Sequence, residues 1–183
     1  MFLSFFVERV NRQDEPGVPI TLAEPATFGS AAEQKLFNFI QKHMASPEGG
    51  IHTNYLESSD ETKGHAVISE SVGLLLKYAV ASRNKALFEQ QLKLLQHRFV
   101  EYDFIACVYP RTGHNMVNSS VDDLRIIEAM LDGAQRFDNE QAYDLGIRLA
   151  KGLLATNSDG KWLFDYADKT KRQSGFYCAN SVC

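Results

Sequence analysis

The sequence predicts an all-α chain of antiparallel helical hairpins. Three observations carry that prediction. Apolar residues recur at three- and four-residue intervals in five separate stretches. Very short links join four of these stretches into two pairs, and a short link forces antiparallel neighbours. Long polar connections precede each pair, and the order repeats about every 50 residues, as in stacked units that bury their apolar faces only against one another.

Residues 1–29 hold Pro16, Pro19 and Pro25 among scattered polar residues and read as an extended lead-in. Residues 30–183 then form one helical domain. Ser30 and Glu33 make a capping-box pattern. Leu36, Phe37, Ile40 and Met44 follow at helical spacing, so a first helix is expected over 31–45, stopped by Pro47 and Gly49-Gly50. After a polar stretch, Val67, Ile68, Val72, Leu75, Leu76 and Ala79 predict a helix over 66–81. Ser82-Arg83-Asn84 links it to another over 85–99, marked by Phe88, Leu92, Leu95 and Phe99. A second long connection spans 100–118. Ser120 is expected to cap a helix over 121–136, with Asp123 in the capping-box place and Leu124, Ile127, Met130, Leu131 and Ala134 on its apolar face. A turn at Asp138-Asn139 leads to a helix ending near 155, with Ala142, Leu145, Leu149 and Leu153 buried. Asn157-Ser158-Asp159-Gly160 opens a third connection, in which residues 162–166 read as a short strand.

Composition excludes several functions. A net charge of −4 leaves no basic footprint for nucleic acid. Cys107, Cys178 and Cys183 fit no metal spacing, and an odd count argues against a complete disulfide framework. His52, His65 and His114 lie in loops without ligand spacing, so neither metal nor cofactor is expected. The apolar start, Met1 to Val7, is too short to span a membrane and lacks the basic region of a secretory signal. A membrane anchor would need a preceding segment that this sequence does not include.

The long connections all fall at one end of the stack, and function concentrates in such loops. Glu70 stands in the first turn of the helix after one long connection, and Asp123 in the first turn after the next, about one repeat apart. Equivalent helix starts present both carboxylates to one rim. Glycoside hydrolysis needs two carboxyl groups across a scissile bond. An acid must be protonated when it acts, so burial has to raise its pKa, whereas a helix N-terminus favours the carboxylate. Acidic residues also occupy first turns simply because they stabilise helices.

Ile68-Ser69-Glu70-Ser71-Val72-Gly73-Leu74-Leu75 resembles the Ser-Glu-Gly-x-x-Tyr-Gly segment of glycoside hydrolase family 8, whose Glu is the general acid. Ser120-Val121-Asp122-Asp123-Leu124-Arg125-Ile126 resembles that family's Thr-Asp-Gly-Asp-Leu-Asp-Ile segment, whose carboxylates bind sugar near the cleavage point. The likeness covers roughly residues 50–155. Val121 stands where the family has its first Asp, Asp123 matches the second, and Asp122 is one residue displaced. Ser71 replaces the family's Gly, and Leu74 falls near its Tyr.

This resemblance implies part of an (α/α)6 toroid with short strands in its loops. The family ring has twelve helices, so the five predicted here would supply about half of it. The water-activating base would then lie on a later helix, beyond residue 183. The implied activity is inverting hydrolysis of a polysaccharide or oligosaccharide, outside the cell or at its surface. Catalytic roles fall to Glu70 and Asp123. Asp122, Asn54, Tyr55, Tyr109 and Arg111 are expected to bind sugar, with Trp162 and His52 as further loop candidates. The alternative is a non-catalytic helical module that binds carbohydrate or another partner.

Overall fold

Ser30 does begin the first helix. In a computed structural model describing residues 29–55, 66–111, 116–169 and the backbone of 173–174, its Oγ accepts the Glu33 N–H at 3.2 Å, and α1 runs Ala31–His43. The Glu33 carboxylate returns one residue earlier than a standard capping box, accepting the Gly29 N–H at 2.8 Å. No residue of α1 is fully buried: Phe37 and Ile40 are half-buried, as is Met44 just past its end, and Leu36 is exposed. The lead-in over residues 1–28, His65, His114, Cys178 and Cys183 lie outside the described residues.

Two hairpins follow. The first joins α2 (Ser69–Ala81) to α3 (Lys85–Leu94), which runs on into a π-helical turn over Leu95–Phe99. The second joins α4 (Ser120–Phe137) to α5 (Glu140–Asn157). Asn84 and Asn139 cap α3 and α5 by accepting the Leu87 and Ala142 N–H groups. Asp138 closes α4 in a left-handed conformation, at φ 55°. Asn139→Ala should cost about 1 kcal/mol through the lost cap, seen as a lower thermal midpoint; an unchanged midpoint would show that water replaces it.

Phe88, Leu92, Leu95 and Phe99 are all buried, as are Ala142, Leu145, Leu149 and Leu153, as their spacing predicts. On α4, Ile127, Met130 and Ala134 are buried, while Leu124 and Leu131 pack at the core edge. The helices α2 and α4 lie side by side. Their cross-contacts climb in step, from Glu70–Arg125 through Gly73–Ile126 to Lys77–Glu128, so the two helices run parallel and start at the same end.

Short strands stitch the loops at that end. Strand β1 (Val67–Ile68) pairs antiparallel with β4 (Val108–Tyr109), and His52 bridges to Val67 on its other edge. Strands β2 (Val100–Glu101) and β3 (Phe104–Ile105) form a second ribbon. Strands β5 (Ala167–Asp168) and β6 (Gln173–Ser174) form a third.

Three expectations need correction. The predicted start of α2 is strand, because Val67 and Ile68 are drawn into pairing with β4. Ser120 is the first residue of α4 and not its cap: its Oγ donates to the Phe164 carbonyl at 2.5 Å. The strand expected over 162–166 lies later, at Ala167–Asp168, because Asp159 folds Lys161 and Trp162 into a turn by accepting both N–H groups.

Candidate functional site

The common start of α2 and α4 builds the site. Ser69, the first residue of α2, donates its N–H to the Cys107 carbonyl, and Cys107 donates its own to the Val117 carbonyl. Ser120 in turn donates to the Asp165 carbonyl. The connections leading into both helices are thus fixed to one another by backbone, and Glu70, Asp122 and Asp123 inherit that fixity.

Glu70 and Asp122 meet through a residue to which sequence reasoning gave no role. The Arg125 Nη1 donates to Asp122 Oδ1 at 2.7 Å and to Glu70 Oε1 at 3.5 Å. The Asp122 side chain is 5% exposed, that of Arg125 24% and that of Glu70 43%. The buried aspartate is therefore charge-compensated, as a buried carboxylate must be, and Glu70 is the member most open to solvent. The burial an acid needs is not supplied at Glu70 by the described residues. Arg125 follows Asp122 by three helical positions, a spacing that signals a pair. Its reach to Glu70 depends on which helix packs beside α4.

Asp123 occupies a different environment. It is 2% exposed, so neither a capping-box return bond nor a place on the groove surface is observed. Its Oδ2 accepts from Asn118 Nδ2 at 2.7 Å, and its Oδ1 has no hydrogen-bond partner among the described residues. Asn118 and Asn157 exchange amide hydrogen bonds at 3.0 Å, and Asn157 Nδ2 also donates to Ser120 Oγ at 2.8 Å. Asn118 Oδ1 further accepts the Ala167 N–H at 2.7 Å. This amide network locks the end of α5 to the start of α4. Asn118 did not stand out in the sequence, and Asn157, read there as opening the third connection, is instead the last residue of α5; no spacing rule links a loop position to a helix end.

Burial pushes the Asp123 carboxyl well above the usual carboxylate range; the Asn118 hydrogen bond opposes the rise, and Asp122 and Cys107 add to it. The folded-state pKa thus lies above the unfolded value of about 3.9. Asp123 adds its full stabilisation below that value and loses it as pH rises toward the folded pKa. Asp123→Asn removes the titration. Denaturant unfolding followed upward from about pH 4 should show the variant gaining on the parent with rising pH, by up to about 1.4 kcal/mol per unit. A constant difference over that rise would contradict the assignment.

Tyr109 stands on β4 opposite the buried Val67; its half-buried ring packs against the core on Phe99 and under the Arg98 guanidinium, 4.9 Å away. Tyr55 is exposed and packs against Phe39 and His43 of α1. Asn54 precedes it, and His52 joins the β1 edge. Arg111 is paired with Glu101 at 3.0 Å, on the β2 side. Trp162 is exposed, with the Lys161 ammonium 5.3 Å from its ring centre. Among the described residues, neither the ring contacts of Tyr55 nor the ion pair of Arg111 joins the Glu70–Arg125–Asp122 cluster.

A hollow lined by Gly29, Glu33, Phe37, Tyr78 and Ser82 lies at the opposite end, where α1 begins and α2 finishes. The Tyr78 hydroxyl donates to Glu33 there at 2.7 Å, so that carboxylate is already engaged. Among the described residues, no three His, Cys, Asp or Glu side chains are grouped to hold a metal ion. No described helix is long and apolar enough to cross a membrane.

No family model matches the sequence, and no curated protein matches it. Solved structures do. A protein from Clostridium perfringens, described as a novel alpha-amylase, is 33% identical over 79% of this chain and 44% of its own, with a TM-score of 0.68. PssZ from Listeria monocytogenes is 18% identical over 82% of this chain and 46% of its own, with a TM-score of 0.66. A family 8 endoglucanase from Klebsiella pneumoniae is 15% identical over 67% and 39%, with a TM-score of 0.55. The chain spans less than half the length of each. The fold is all-α, its antiparallel hairpins forming part of an α/α toroid of the kind found in glycosidases.

Proposed function

We propose that this chain carries part of the active site of a glycoside hydrolase acting on a polysaccharide or oligosaccharide, with Glu70 as general acid. The observation that carries the reading is the meeting of Glu70 and Asp122 at the loop-end start of two parallel helices. The 33% identity to an alpha-amylase makes an α-glucan the first substrate to test. Both aspartates are buried in the free site; Asp122, which shares Arg125 with Glu70, is the one assigned to the sugar, and Asp123, bonded to Asn118, supports it.

The reaction is inverting hydrolysis. The bond between the anomeric carbon and the glycosidic oxygen breaks, and its electron pair goes to that oxygen, which takes the Glu70 proton. A water oxygen bonds to the anomeric carbon from the opposite face, and its proton passes to a base for which no residue is assigned here. Docked sugar would cover Glu70 and supply the burial that the free site lacks.

The test is Glu70→Gln in the full-length protein, with starch cleavage followed by release of reducing ends. Undiminished turnover removes Glu70 from the role. The charge compensation by Arg125 favours a second reading, a binding module without turnover. Sugar binding that survives Glu70→Gln, together with no cleavage by the parent protein, would select it.

A further inference from the structure

The side chain of Arg125 is held at both ends. Its stem crosses α2 at Gly73, where a Cβ would stand 3.5 Å from Arg125 Cδ and 3.6 Å from Cγ. Its head is anchored on Asp122 at 2.7 Å, and that aspartate is nearly buried at the start of α4. The same nitrogen reaches Glu70 at the longer distance of 3.5 Å. Glu70, the most solvent-open of the three, meets a guanidinium that Asp122 already holds. Asp123 faces away, into the Asn118 network, and Ser71 Oγ is spent on the Ile68 carbonyl. Among the described residues, the Glu70 carboxylate thus makes its contact with Arg125 of α4.

We propose that Arg125 is the positioning residue for the acid at this site: anchored on Asp122 and seated over Gly73, it aims the Glu70 carboxyl at the glycosidic oxygen. This rests on the assignment of Glu70 above. Arg125 touches no reacting atom in this scheme. Its contribution is orientation, and a displacement of about 1 Å is enough to cost on the order of 100-fold in rate.

Proton donation matters only when the leaving group is poor, which gives the test. Soluble starch leaves as a sugar hydroxyl and needs the acid, whereas an α-maltosyl fluoride leaves as fluoride and does not. Arg125→Gln in the full-length protein should lower kcat on starch by roughly 10- to 100-fold, with KM and fluoride hydrolysis within about threefold of the parent. Arg125→Lys keeps a charge on Asp122 without the planar fork and should recover part of the starch activity. Fluoride hydrolysis also reports folding of each variant. An equal loss on both substrates would overturn the proposal, since it marks a merely structural arginine; so would unchanged turnover of starch. If Glu70→Gln retains starch activity, the assignment of Glu70 fails first. If Glu70→Gln is inactive on starch while Arg125→Gln is not, the positioning role alone fails.

Discussion

Glu70→Gln is expected to lower starch hydrolysis by roughly 100- to 10,000-fold, the usual contribution of a general acid. That corresponds to about 3–5 kcal/mol of lost transition-state stabilisation. Glutamine has nearly the same shape, and its carbonyl oxygen can still accept from Arg125 Nη1. What it lacks is a transferable proton. The Glu70 side chain is 43% exposed and half of an ion pair that solvent screens, so stability should change by no more than about 0.5 kcal/mol. A large loss of turnover with an unchanged melt would separate chemistry from folding. Hydrolysis of an α-maltosyl fluoride should largely survive, because fluoride departs without the proton. Loss of both activities together would point to damaged binding instead.

Gly152→Ala is expected to destabilise the fold by about 3 kcal/mol, at the upper end of the usual overpacking cost. A Cβ on Gly152 would lie 1.9 Å from the Asp103 carbonyl oxygen. Asp103 sits in the turn between β2 and β3, beside Tyr102 in a left-handed conformation at φ 59°. Backbone cannot swing aside as a long side chain can, so α5 and this turn must part. At roughly 2–4 °C per kcal/mol for a domain of this size, the thermal midpoint should fall by about 6–12 °C. Gly133 differs: its added Cβ meets the Phe88 ring at 2.0 Å, a side chain, although one locked in the core. A melt of Gly152→Ala within a degree of the parent would show that the β2–β3 turn yields freely.

Periodicity carried most of the helical reading. The apolar positions of α3 and α5 are buried as predicted, since a 3.6-residue repeat has one solution for which face turns inward. Asparagine caps then account for where α3 and α5 begin, and a left-handed aspartate for where α4 ends. Short strands were harder to read. Two residues such as Val67-Ile68 hold no period, and only pairing with Val108-Tyr109 makes them a strand. The start of α4 shows a different difficulty. Ser120 and Asp123 have the spacing of a capping box, yet packing against α5 turns both inward, to the Phe164 carbonyl and to Asn118.

The placement of Glu70 at the loop-end start of α2 was settled by sequence, because helix periodicity and chain order are local properties. So was the expectation that the next hairpin would bring acidic residues to the same rim. Tertiary structure alone decided that Asp122 shares Arg125 with Glu70 while Asp123 turns to Asn118: both aspartates are buried, adjacent helical residues point about 100° apart, and only packing says which neighbours each meets. It alone also brought Arg125 across to Glu70, because a contact between helices depends on their register, which no single-helix pattern encodes.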